Sequence, residues 1–274
     1  MGGLATTVEV EREGSASAPT AEKLYWLGNV AKVRVIREIL RRSRGRAVVF
    51  DYGAGTGGDW PQILADHPQL ELIAYEPCGP SAKKLRQLQT NRRAKVVEDL
   101  EAAQIQADYI VSFSVFEHVY DRRAYLTAAR RRVADNGVMF LNYDDGHFRQ
   151  SCDLSRPRTW PNALIEHTQN ILAPLWPKIG RKHLYQAWVN RNDCDALLAA
   201  TGWRTADERY ENLASYKQLS KAIPPDEASK FAHFWLESEE RLNQDFRRQI
   251  TPDRGDATNL WREMASRTLE LHPV

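Results

Sequence analysis

Val48-Val49-Phe50-Asp51-Tyr52-Gly53-Ala54-Gly55-Thr56-Gly57-Gly58-Asp59-Trp60 is an apolar, β-branched run broken by glycines at alternate positions. Ile63, Leu64 and Ala65 then continue as a helix. Strand, tight glycine turn and helix start together make the opening βα unit of a nucleotide-binding sheet. Glycine reaches backbone angles closed to other residues, and it has no side chain to hold a ligand off the main chain. The loop therefore predicts a ligand with a nucleoside handle. Alone, it does not say which.

Downstream, strands and helices alternate. Leu70–Glu76 reads as a second strand with an acid at its tip, followed by Pro77. A helix over Ser81–Gln89 precedes Lys95-Val96-Val97-Glu98-Asp99, a third strand again tipped with acid. Ala107–Ser114 reads as a fourth strand, Arg122–Ala134 as a helix, Asp135-Asn136-Gly137 as a turn and Val138–Tyr143 as a fifth strand. That alternation predicts a doubly wound, mostly parallel α/β sheet with helices on both faces.

Upstream, Met1 to about Thr20 is small and polar without a sustained period, which suits a flexible tail. Apolar residues then recur at helical spacing from Ala21 to Arg42, through Val30, Val33, Ile36 and Ile39. Tyr25, at the start of that helix, is a candidate to lie over a bound ligand. Beyond Tyr143 the alternation stops. Residues 146–190 carry four prolines and the tryptophans Trp160, Trp176 and Trp188, a composition that suits a cap of short helices and loops. Asn192–Thr201 resumes as a helix. Trp203–Tyr210 and Leu213–Leu219 read as two strands of a hairpin joined at Glu211-Asn212. Residues 223–274 read as a charged helical extension, which leaves 21–222 as the main domain.

The chain has a net charge of only +2, and its basic clusters lie at helix ends, where cations suit the negative end of the dipole. Nucleic acid and membrane are therefore not expected partners. Three widely spaced cysteines make neither a disulfide framework nor a metal pair, and no apolar run approaches the ~18 residues of a spanning helix. A cytoplasmic location is the expectation.

The loop fits two templates. Gly53, Gly55 and Gly58 make the dinucleotide fingerprint G-x-G-x-x-G, and Asp51, Gly53, Gly55 and Gly57 make D-x-G-x-G-x-G. A pyrophosphate wants free N–H groups and no competing anion. S-adenosylmethionine instead brings an ammonium and a sulfonium, and Asp51 suits both. Glu76 follows at roughly the 20-residue interval at which a carboxylate meets a ribose.

With these residues the sequence resembles the class I S-adenosylmethionine-dependent methyltransferases over about Ala47–Leu219. Val49–Gly57 is similar to their first motif, and Glu76 falls at the ribose-binding acid. Asp99, with Leu100, falls at the acid facing the adenine amino group, and Ser114-Val115-Phe116-Glu117-His118-Val119 looks like the S-x-x-E-H-V segment bordering the cofactor. The resemblance implies a Rossmann-like seven-stranded sheet of order 3-2-1-4-5-7-6, with the hairpin as strands six and seven. It also implies S-adenosylmethionine as cofactor, held by Asp51, Gly53, Ala54, Gly55, Gly57, Glu76, Pro77, Asp99, Leu100, Ser114, Phe116 and His118.

Methyl transfer needs alignment, which supplies about 7–11 kcal/mol, and a base if the acceptor carries a proton, which adds about 10²–10⁴-fold. His147, just past the fifth strand, is the candidate base, with Asp144 and Asp145 to orient it. Loop capping is preferred for these aspartates over a Mg²⁺ site with Asp153, so no metal is expected. The favoured reading is O-methylation of a small molecule or sugar. The alternatives are an NAD-dependent oxidoreductase, against which Asp51 argues, and a cofactor-binding protein without turnover whose charged C-terminal helices serve self-assembly.

Overall fold

The computed structural model describes residues 30–43, 45–144, 189–224, 226–248 and 266–274, with short runs inside 164–187. Tyr25, Asp145, His147, Asp153, the tail and most of the cap lie outside the described residues.

Seven strands form one sheet: β1 (Ala47–Tyr52), β2 (Leu70–Tyr75), β3 (Ala94–Val97), β4 (Ala107–Phe113), β5 (Val133–Asp144), β6 (Trp203–Glu211) and β7 (Ser266–Pro273). Their order is β3-β2-β1-β4-β5-β7-β6, as expected. β1 to β5 are parallel to one another, and β7 runs antiparallel to both β5 and β6. The main helices among the described residues are α1 (Val30–Arg42), α2 (Trp60–Asp66), α3 (Gly79–Leu85), α4 (Arg122–Arg130), α5 (Arg191–Ala200), α6 (Leu213–Ser220) and α7 (Ala228–Arg248).

Successive strand residues point to opposite faces of a sheet, and two cores follow from this. Val49, Leu72, Val111 and Phe140 pack with α1, α2, α6 and α7 on one face. Phe50, Ile110, Met139, Leu141 and Leu269 pack with α4 and α5 on the other. α1 turns Val30, Val33, Ile36 and Ile39 onto the sheet, as its spacing predicts.

The expected hairpin is corrected. Leu213–Ser220 is a helix because Asn212 caps it, the Asn212 side chain accepting the Ser215 N–H at 3.0 Å. The neighbour of β6 is therefore β7, and a chain expected to stay helical to its end returns to the sheet after α7. Leu269 and Leu271 alternate on the buried face of β7, as a strand requires. The expected turn at Asp135-Asn136-Gly137 lies within β5, where the β4–β5 register shifts between Ala107 and Tyr109. A side chain on Gly137 would meet the Ala107 and Asp108 carbonyl oxygens at 2.9 Å, so glycine fits the irregularity.

Candidate active site

β1 pairs with β2 on one side and β4 on the other, so the chain leaves the tip of β1 at the point where strand order reverses. Open α/β sheets bind ligands in the crevice beyond the carboxyl ends of such strands. Here the glycine turn fills that position. The Gly53 and Ala54 N–H groups donate to the Tyr75 carbonyl at 2.9 and 3.0 Å, which pins the turn to the end of β2.

Its glycines serve different purposes. Gly53 has a φ of 97°, and a Cβ there would stand 2.4 Å from Val115 Cγ2. Gly57 has a φ of 65°, and a Cβ there would meet the Leu85 and Leu88 methyls at 2.5 and 2.6 Å. Both are glycines for internal packing. At Gly55, with a φ of 58°, a Cβ would meet nothing within 4 Å. That open space over bare backbone is where a ligand can approach.

Glu76 closes one side of it. Its Oε2 accepts the Gly55 N–H and its Oε1 the Cys78 N–H, each at 2.8 Å. A carboxylate oxygen has two lone pairs, so both atoms keep acceptor capacity for a ribose diol. Asp99 is exposed beyond β3, with Oδ1 accepting the Glu101 and Ala102 N–H groups and Oδ2 outside that turn. Pro77 is exposed beside Glu76, and Leu100 packs against the core below Asp99.

Asp51 is placed differently from an open ligand-facing acid. It is 2% exposed, and its Oδ2 accepts the Trp60 indole N–H at 2.5 Å. Lys32 of α1 stands 3.9 Å from it and 2.9 Å from Asp59. Burial pushes the Asp51 carboxyl up from the usual carboxylate range, while Lys32 and then the Trp60 hydrogen bond pull it down.

On the β4 side, Ser114 is exposed at the strand tip with a φ of 53°, a left-handed conformation unusual for serine. Its N–H donates to the Asn142 carbonyl at 3.0 Å. Phe116 is turned fully inward against Tyr125 and Tyr143. His118 is exposed, its Nδ1 3.1 Å from the Tyr185 carbonyl, and Glu117 O accepts the Ala187 N–H at 2.9 Å. Arg122 donates to the Ala187 carbonyl at 2.7 Å. This segment thus fastens the chain returning from the cap to the edge of the site. Asp144 ends β5 opposite Ser266.

The structure therefore brings Gly53, Ala54, Gly55, Glu76, Asp99 and Ser114 to the carboxyl edge of the sheet, with Asp51 and Gly57 buried beneath the turn. The sequence reading did not single out Lys32, whose helical position carried only a packing signal. It also missed Tyr125, whose hydroxyl ties α4 to the Tyr52 carbonyl at 3.1 Å and to Ser112 Oγ at 2.8 Å. A separate cleft between α1 and β5–β7, lined by Arg34, Phe140, Arg209, Glu211 and Glu270, lies away from the glycine turn. Among the described residues there is no cluster of metal-ligating side chains, and no helix is long and apolar enough to cross a membrane.

Residues 29–208 match the family described as methyltransferase domain. No curated protein sequence matches the chain. Solved structures share the fold. The cyclopropane synthase MmaA2 from Mycobacterium tuberculosis superposes with a TM-score of 0.53 at 16% identity, over 88% of this chain and 83% of that one. The mycolic acid cyclopropane synthase CmaA1 complexed with SAH and CTAB gives 0.54 at 18% identity, with the same coverage. With its acid–glycine turn at the switch point of a 3-2-1-4-5-7-6 sheet and a family match over most of its length, the chain belongs to the class I S-adenosylmethionine-dependent methyltransferases.

Proposed function

We propose that the protein is a cytoplasmic enzyme that transfers a methyl group from S-adenosylmethionine to a hydroxyl of a small molecule or sugar. The observation that carries the choice of cofactor is the hydrogen bond from Gly55 N–H to Glu76. A dinucleotide pyrophosphate would need that N–H and would meet a carboxylate already holding it. A nucleoside with a cationic amino-acid tail suits the same arrangement: Glu76 for the ribose, Asp99 for the adenine edge, and the open backbone at Gly55 for the tail. The solved CmaA1 structure with SAH supports the reading by its fold.

When bound, the cofactor supplies a methyl carbon already activated by sulfonium. The chain's own part is to align the acceptor and take its proton. His147, three positions past the end of β5 in the sequence, is the base we propose, with Asp144 at the strand's last position and Asp145 next to it to orient it. A small-molecule or carbohydrate acceptor, enclosed by the cap, is the proposed partner.

Titration calorimetry with S-adenosylhomocysteine and with NAD tests the cofactor, and binding of NAD alone would overturn it. Methyl transfer from labelled S-adenosylmethionine to a cell extract, with the product identified by mass, tests the acceptor. A labelled nucleic acid, or cofactor binding without transfer to anything, would overturn the O-methylation proposal.

A further inference from the structure

We propose that Lys32 of α1, outside the acid–glycine motif, is a positioning residue of the cofactor loop, its ammonium being the counter-charge that holds the buried Asp51 carboxylate in its anionic form. The inference rests on the proposed use of a cofactor with a cationic tail and assigns a residue to that same site.

The geometry carries it. A carboxylate that is 2% exposed has lost most of its hydration, and an isolated buried charge neutralises rather than persists. Asp51 nevertheless has two stabilising groups. The Trp60 indole of α2 donates to Oδ2 at 2.5 Å, and the Lys32 ammonium stands 3.9 Å from the same atom. Lys32 is itself mostly buried and is fixed from several directions. It pairs with Asp59 at 2.9 Å and lies 5.2 Å over the Trp60 ring and 6.0 Å from that of Phe113. The remaining charged or titratable groups facing Asp51 work against its charge or leave it unsupported. Asp59 before α2 and Glu76 at the β2 tip are anions, and the Tyr125 hydroxyl of α4 is neutral.

Two consequences follow for the loop. The anionic Asp51 sits below the turn as a fixed negative centre, which favours the ammonium end of the cofactor over a phosphate. α1 also becomes part of the binding site, because Lys32 joins it to both ends of the turn, Asp51 before the glycines and Asp59 after them.

Carbon-13 carboxyl NMR of the cofactor-free wild-type protein from pH 5.5 to 8.5 tests the proposal directly. Asp51 is expected to stay ionised throughout, and an Asp51 carboxyl protonated at pH 7 would overturn the proposal. In Lys32→Met the same signal is expected to titrate within that range. Affinity for S-adenosylhomocysteine, taken as a ratio to wild type so that the ligand's own ammonium cancels, should then fall by about tenfold per pH unit below the new midpoint and recover above it. Lys32→Arg should restore the flat profile. A pH-independent loss shared by both variants would mean that Lys32 only packs, and would overturn the assignment. If Lys32→Met does not fold, the wild-type titration and Lys32→Arg decide. A wild-type protein that binds no S-adenosylhomocysteine would sink the cofactor reading, whereas the Asp51 titration would still decide for or against Lys32.

Discussion

Around the glycine turn the structure is held through backbone N–H groups over moderate separations, Gly53 and Ala54 on the Tyr75 carbonyl and Gly55 on the Glu76 carboxylate, with the Val115 side chain filling the place of a Gly53 side chain. Between α1 and the β5–β7 end it is held by side-chain charges far apart in the chain. Arg34 donates to Glu240 at 2.6 Å across 206 positions, and Arg42 binds both oxygens of Glu270 at 2.8 Å across 228. Arg34 also stands 3.5 Å from each of two buried acids, Glu211 and Glu239. The first half is specified by residue type at fixed spacing. The second is specified by matched partners that no local pattern announces.

Substitutions can break that contrast. Gly53→Ala should be the most damaging, at about 4 kcal/mol, from a left-handed φ and the clash with Val115 together. Urea unfolding should show the loss, and calorimetry no cofactor binding. Gly55→Ala, with open space at its Cβ, should by contrast keep most of the stability while still losing affinity.

Arg34→Met should cost about 3 kcal/mol, because it leaves Glu211 and Glu239 buried without their shared guanidinium. A change below about 1 kcal/mol in urea unfolding would show that these acids need no counter-ion.

The same acids give a pH signature. Burial first, then the neighbouring Glu211 carboxylate, pushes the Glu239 carboxyl up to about 8. A group that holds its proton more tightly when folded stabilises the fold most below its unfolded pKa of 4.5, and that contribution is lost as pH rises toward 8. Stability should therefore fall by on the order of 2 kcal/mol between pH 5 and 8, less than a full one-proton linkage because Glu211 shares the guanidinium. Glu239→Gln should flatten that part of the melting-temperature profile.

The smallest effect has the opposite sign. Ser114→Gly removes a left-handed serine and should raise stability by up to about 1 kcal/mol in thermal unfolding.

What was legible follows the same division. Strands β1 to β5, the turn and the acids at the strand tips could be read because alternation and glycine spacing are local signals. Leu213–Ser220 was misread as a strand although Leu213, Tyr216 and Leu219 recur every third residue, a helical spacing, and the Asn212 cap marks the helix start. β7 was missed because Ser266–Pro273 follows a long charged helix, and a strand's partners are set by register rather than composition. Asp51 was recognised by type, but its inward orientation depends on Trp60 and on Lys32 from another helix.

The position of β7 has a consequence for synthesis. It is the last of the seven strands to leave the ribosome, yet it fits between two strands made earlier. Until it arrives, β5 and β6 each present an open hydrogen-bonding edge, the kind that recruits foreign strands. A nascent chain stalled before Ser266 should therefore be protease-sensitive and bind chaperones, and release of that one segment should end both at once.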